Sequence, residues 1–434
     1  MMENIKTLTL TILVIASLIQ SYLLAFSSPQ YDQIIPANYV ETELSGTQLE
    51  LKELIFPKDI VIHLGEGKHT LLYPEMIFYN MIMNVVKQRT LGGLQERNGM
   101  NSPWIMGNNE KIGIEIRFAE QLPFEILRQT MNINSEEEEL IGQVDTLHIF
   151  MNAGQEDIRV LLMNSQSRLG YEATQVDLTA KDVERFIGFG ESLIPYELYR
   201  EQFYVPLEAV PIMQLTAPYY KFDAEQLQTS LFPDPFNTRN LIEKDGSKIY
   251  TDGKRGLRLM AGTHWMSYTD PAAIAEQPDN LINSLFTGIQ FINRHGGWNG
   301  NYLIVGSNLD RVRMNEQYFI FRKFVGSFLG SYPIVEPNSE YPFGDIRIMV
   351  QNRVITEYER STMQIQENEI VQEEVTLAGG DSLIQTLDQF PQITMVKNIY
   401  PAYRVDILES EIQLNPIWAF EMQDGTIQAL LKEE

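Results

Sequence analysis

The chain of 434 residues contains no cysteine. That excludes structural disulfides, thiolate metal sites, thiol nucleophiles and a lipidated N-terminal cysteine. Positive charge is also scarce: 33 Lys and Arg stand against 58 Asp and Glu, a formal net charge of -25. Nucleic acid and anionic membrane surfaces are therefore excluded as main partners. Only five histidines occur, His63, His69, His148, His264 and His295, and their spacing does not suggest a metal site. There is no His-Glu-x-x-His zinc motif, no Gly-x-Ser-x-Gly elbow and no Ser-x-x-Lys motif in a plausible setting. "GEGKHT" lacks the first glycine of a phosphate loop, places His69 where Ser or Thr should hold magnesium, and joins strand to strand. These observations predict no catalytic residues, no cofactor and no metal.

Long apolar runs are absent except for one. Thr7–Phe26, "TLTLTILVIASLIQSYLLAF", carries no charge, and at about 1.5 Å per residue it spans the roughly 30 Å bilayer core as a helix. Lys6 precedes it; Asp32, Glu41, Glu43 and Glu50 follow before the first basic residue, Lys52. The positive-inside rule then places residues 1–6 in the cytoplasm and the bulk of the chain outside. The competing reading is a signal peptide cleaved at "AFS", Ala25–Ser27, although the apolar run exceeds the usual signal length. Thr7, Thr11, Ser17 and Ser21 fall within an arc of about 120° on this helix. Ser17 and Ser21 form a small-xxx-small pair, which allows close helix approach in lipid. Together the four are the candidate transmembrane interaction face.

Hydrophobic content of 44% and an aromatic share of 10% describe a folded protein. The expected fold class is α+β, an N-terminal transmembrane helix followed by three extracytoplasmic domains. The first, residues 30–222, alternates strands and helices. "DIVIHL" (Asp59–Leu64) turns through "GEGK" into "HTLLY", a helix begins near Glu75, and "KIGIEIRF", "DTLHIFMN" and "IRVLLMN" read as strands. "SEEEEL" (Ser135–Leu140) reads as a solvated loop or a capped first turn.

The remainder suggests a duplication with an offset of about 100 residues, predicting domains 231–336 and 340–434. "RGLRLMAGTHWMSYTD" aligns with "GDIRIMVQNRVITEYE", and "LINSLFTGIQFINRH" with "DSLIQTLDQF". "RMNEQYFIFRKFVG" aligns with "QLNPIWAFEMQDG", bringing Asn315 onto Asn415. Each unit reads ββα plus further strands, a helix on an antiparallel sheet. Asp279 or Asn280 caps the first of these helices and Gly296-Gly297 stops it. His295 at its end suits the helix dipole as a cation, and "HGGW" reads as a helix stop before a core aromatic. In "SKIYTDGKRGLRLM" (Ser247–Met260), Asp252-Gly253 signals a hairpin, and Arg258 faces away from Leu257 and Leu259. Its four basic residues read as solvated.

Taken in order, "NIKTLTLTILVIASLI", "IYTDGKRGLRLM" with "WMSYTDP", "FINRHGGW" and "YPAYRVDI…LNPIWAF" resemble the YycH (WalH) family. The resemblance implies three extracytoplasmic domains on one transmembrane helix. It also implies a non-enzymatic role in a two-component system controlling cell-wall turnover. The implied partners are a WalK-type sensor histidine kinase and a similarly anchored YycI-like protein, with contacts made partly through the transmembrane helix. The alternative from another functional class is an extracytoplasmic ligand-binding protein or hydrolase that uses an inter-domain cleft.

Overall fold

The computed structural model describes residues 46–430 except 100, 101, 103–110, 135–141, 272–279, 308–316 and 338, and scattered positions of the first 20. Two units are distinguished, Met1–Tyr39 and Val40–Glu434. In the first, the described residues Asn4, Lys6, Leu10, Thr11, Leu13–Leu18 and Gln20 are all helical. Among the described residues, no helix is long and apolar enough to cross a membrane. "SEEEEL", Asp279 and Asn315 lie outside the described residues.

The second unit contains three sheets. The first sheet uses β1 (Asp59–Gly65), β2 (Lys68–Leu72), β3 (Leu91–Asn98), β4 (Lys111–Pro123), β5 (Ile133–Asn134), β6 (Gln143–Asn152), β7 (Arg159–Met163), β8 (Leu169–Val176), β9 (Tyr196–Tyr199) and β10 (Phe203–Pro206). Their order is β10-β9-β2-β1-β4-β6-β7-β8-β3-β5. Helices α1 (Ile77–Gln88), α2 (Phe124–Thr130) and α3 (Ala180–Gly190) connect them. As the alternation in "DIVIHL" requires, Ile60 and Ile62 face one side of β1 while Val61 faces the other, and all three are buried. Thr179 caps α3, exchanging bonds with Asp182 in a capping box. Gly190 closes that helix where a Cβ would press on Ile62, Leu64 and Thr70.

Strand β11 (Val210–Lys221) leaves this sheet for another. After α4 (Ala224–Leu231), the middle sheet takes β12 (Arg239–Ile242), β13 (Lys248–Thr251), β14 (Gly256–Leu259), β15 (Trp265–Thr269), β16 (Asn301–Ser307), β17 (Gln317–Ser327), β18 (Gly330–Pro333), β19 (Asp345–Gln351) and β20 (Val354–Ser361). Its order is β12-β13-β14-β15-β20-β19-β17-β16, with β18 beside β17. Helix α5 (Leu281–Arg294) lies between β15 and β16. Asn280 caps it, and of the face that the spacing predicts (Leu281, Leu285, Ile289 and Ile292) the last three are buried and Leu281 is half-buried.

The third sheet joins β11 to β21 (Met363–Ile365), β22 (Val371–Leu377), β23 (Val396–Ile407), β24 (Glu411–Met422) and β25 (Ile427–Leu430), with α6 (Gly380–Gln389) between β22 and β23.

These sheets do not follow the segments 30–222, 231–336 and 340–434. Strand β11, expected in the first region, pairs with β21, β22 and β24. Strands β19 and β20, expected to open the last domain, lie in the middle sheet, with β20 against β15 and β19 against β17. The two aligned hairpins thus lie side by side, Tyr268 opposite Tyr358. Their tips share a feature the alignment pairs: His264 (φ 54°) and Arg353 (φ 63°) both take left-handed backbone. The physical reason for the difference is that a β-hairpin specifies its own turn but not the edge it joins. One buried cluster draws on all three sheets, including Val61 and Phe203, Val325 and Tyr332, and Leu215 and Tyr403.

Candidate functional site

Of the predicted interaction face, Thr11 and Ser17 are helical and exposed, whereas Thr7 and Ser21 lie outside the described residues. The basic hairpin is built from internal ion pairs. Arg255 and Lys254 meet Asp270 at 2.8 and 3.2 Å, and Arg258 meets Glu243 at 2.7 Å. Asp252 Oδ1 accepts the backbone N–H groups of Lys254 and Arg255, and Gly253 supplies the positive φ. The segment is a hairpin in which Lys254, Arg255 and Arg258 serve the fold through ion pairs, while Lys248 is exposed as expected.

"HGGW" is likewise structural. Trp298 is fully buried between Tyr302 and Phe321, and its indole N–H donates to Asn293 Oδ1 at 2.7 Å. The same oxygen accepts from Leu49 N, and Asn293 Nδ2 donates to Leu49 O, so one amide binds the segment entering the unit to α5. His295 corrects the expectation of a helix-end cation. It is buried with its Nδ1 2.9 Å from Ser230 Oγ, and burial lowers its pKa to about 3, so the ring is neutral. Desolvation outweighs a helix-terminal field.

The densest polar cluster was not legible from residue spacing. β1 and β2 pair so that His63 lies opposite His69, their Nδ1 atoms 2.9 Å apart. β4 and β6 set Glu115 opposite His148, and Glu115 Oε2 is 3.4 Å from His63 Nε2. Burial lowers His63 to about 3 and His69 to about 4, so both rings are neutral. Burial alone would raise Glu115, but the His63 hydrogen bond and the nearby Arg117 charge hold its carboxyl well below the usual range. Beside it, Arg117 donates to both oxygens of Asp59 at 2.6 and 2.9 Å, with its guanidinium 5.5 Å from the Tyr204 ring centre. The one sequence signal was the near-symmetry of His63 and His69 about the "GEG" turn. Among the described residues, no group of three or more His, Asp or Glu is arranged to hold a metal ion.

This cluster borders a polar cavity of about 490 Å³ lined by Glu115, Arg117, Gln202, Lys397 and Glu421, among others. A second cavity, of about 330 Å³, shares Lys58 and Glu421 and is walled by Tyr73, Tyr332 and Tyr400 from the three sheets. Each cation around these spaces has a carboxylate: Lys58 and Lys397 meet Glu421 at 3.4 and 2.5 Å, and Arg322 meets Asp345 at 2.8 Å. Lys58–Glu421 joins the first sheet to the third, whereas Arg117–Asp59, Arg322–Asp345 and Lys397–Glu421 each tie neighbouring strands of one sheet, and the neutral, hydrogen-bonded histidines are not poised as bases near pH 7.

The chain-wide comparisons agree with this architecture. The family model described as "YycH protein, N-terminal domain" matches residues 3–188, and "YycH protein, C-terminal domain" matches residues 200–434. The chain is similar, at 20% identity, to the "Two-component system WalR/WalK regulatory protein YycH" of Bacillus subtilis (strain 168), covering 99% of this chain and 97% of that protein. Its fold is similar to the crystal structure of YycH from Bacillus subtilis, with a TM-score of 0.68, 17% identity, and coverage of 91% of this chain and 100% of the other. With both halves matched in order, the chain belongs to the YycH family.

Proposed function

We propose that the protein regulates the sensor histidine kinase of a WalR/WalK-type two-component system that governs cell-wall homeostasis. It does so by protein–protein contact and catalyses no reaction. The observation that carries this reading is the end-to-end likeness to the Bacillus subtilis regulator, which covers 99% of this chain and 97% of that protein. In this reading residues 7–26 form a single-pass anchor in the cell membrane, with residues 1–6 cytoplasmic and the bulk of the chain outside. The match to the N-terminal family model begins at residue 3 and so includes this apolar stretch. Thr7, Thr11, Ser17 and Ser21 form the face that meets the kinase or a YycI-like anchored partner within the bilayer.

The test is crosslinking in native membranes with single cysteines at Ser17 and Ser21 and off-face controls at Leu13 and Leu18, in a chain that contains no cysteine of its own. Adducts to the kinase or to a second anchored protein from the serine positions alone are expected. Equal yields from all four positions, or a chain released after Ser27, would overturn the lipid-coupling mechanism.

A further inference from the structure

We propose that β12 is a docking edge for a second copy of this chain, and that two β12 strands pair antiparallel about a two-fold axis at Leu241. The four residues of this terminal strand of the middle sheet are all exposed, Leu241 by 53% and Ile242 by 71%. Phe236, three residues before the strand, is fully exposed. Three other edge strands are handled differently. β16 buries Tyr302, Leu303 and Ile304, and Ile304 N donates to Leu54 O; β10 is buried throughout; β22 exposes Val371 but follows it with the exposed Glu373 and Glu374. Charged edges repel other strands, whereas an apolar edge invites one.

Backbone parity fixes which groups are available. Glu243 N donates to Ser247 O, continuing the β12–β13 register in which Leu241 opposes Ile249 and Arg239 opposes Thr251. In an antiparallel ladder bonded pairs alternate with non-bonded ones. Residues 239, 241 and 243 therefore bond inward to β13, and the N–H and C=O groups of Asn240 and Ile242 point to the open edge. A two-fold axis at Leu241 places Asn240 opposite Ile242 of the second copy, twice, so these outward groups bond one another. Leu241 then faces its own counterpart as a close, non-bonded pair, flanked by Ile249 on each side.

Charge selects this register over its neighbours. With the axis at Leu241, Arg239 lies opposite Glu243 of the second copy, and the reciprocal pair repeats it. An axis at Asn240 or Ile242 sets Arg239 or Glu243 opposite Leu241 instead. Arg239 makes no ion pair within the described residues, and Glu243 holds Arg258 through Oε2 alone. Opposite charges directly across a strand pair are favourable, and like charges are not.

The test uses the full-length chain in reconstituted vesicles, with single cysteines at Asn240, Leu241 or Ile242 under mild oxidation. A residue on the axis meets itself at a Cα separation of about 4.5 Å, within disulfide reach. Covalent dimer should therefore form at Leu241→Cys and fall off at both neighbours. In that background Arg239→Glu should cut the yield by about tenfold, and adding Glu243→Arg should restore it. Arg239 is exposed, so its reversal leaves the fold intact, which an unchanged melting midpoint checks. A yield peak at position 240 or 242, equal low yields at all three, or failure of the double reversal to restore dimer would each overturn the proposal.

Discussion

Replacing Asp59 by Asn tests how far a buried ion pair across β1 and β4 holds the fold together. Asp59 is 2% exposed, and both of its oxygens accept from Arg117, whose side chain is 13% exposed. The substitution keeps the volume and one acceptor but removes the charge, leaving the guanidinium against Tyr204 with Glu115 as the next charge acting on it. At a charge separation of about 3.5 Å and an effective dielectric of about 20, the lost attraction is ~4–5 kcal/mol. Losing one partner of a buried pair costs about 3–5 kcal/mol, a consistent range. A unit the size of residues 40–434 has a melting entropy of roughly 0.8 kcal/mol/K, so Asp59→Asn should lower the midpoint by about 5 °C. Scanning fluorimetry of the full-length protein in detergent, at two scan rates, measures this. The variant Asp59→Leu/Arg117→Met should recover at least about half of the loss, because replacing both partners removes the stranded charge. A midpoint within about one degree of the parent for Asp59→Asn, or a double variant no better than the single, would refute the reasoning.

Three further outcomes are expected. Stability should fall as pH drops from about 6.5 toward 4: His63, His69 and His295 are neutral in the fold, with pKa values of about 3, 4 and 3. The unfolded chain then binds protons the native state refuses, and His69→Gln should flatten the slope of midpoint against pH measured between 7.5 and 5. Gly297→Ala should loosen the entering segment, since Gly297 has φ 60° and its Cβ would lie 2.8 Å from Thr47 O. Faster amide exchange at residues 46–54, with little change at β6, is the readout. Thr179→Ala should cost about 1 kcal/mol by removing the α3 cap, and Thr179→Ser should restore it, both read in the melting midpoint.

What was legible in the sequence is what local periodicity determines. The β1–β2 hairpin, α5 with its Asn280 cap, the Gly253 turn and the burial of Trp298 each follow from residues within a dozen positions of one another. The β3 segment "LGGLQERN" was passed over because two glycines and two charges mask its alternation. Gly93 is nevertheless required, with φ 60° and the Thr174 side chain against its open face. The His63–His69–Glu115 cluster was hidden for a different reason: His148 reaches Glu115 only through the β4–β6 register, which no sequence spacing encodes.

The chain builds the middle sheet partway through the third, which changes how the molecule works as a unit. β11 ends at Lys221, which pairs with Met363 at the start of β21. Phe222 N donates to Thr362 O at 2.8 Å, and Thr362 N donates to His264 O at 2.7 Å. The middle sheet is thus an insertion between two adjacent strands of the third sheet, entering and leaving through one hydrogen-bonded pair of segments. An insertion leaves its host sheet through two neighbouring segments, here hydrogen-bonded to each other, whereas a tandem duplicate hangs on a single linker. The family match over residues 200–434 spans both the inserted sheet and the strands that flank it. The shared core then couples the sheets further, because Val325 and Tyr332 of the insertion pack in the same cluster as Phe203 and Tyr403. The middle sheet is therefore joined to the third by covalent and hydrogen-bonded connections, and to both of the others by a shared packed core.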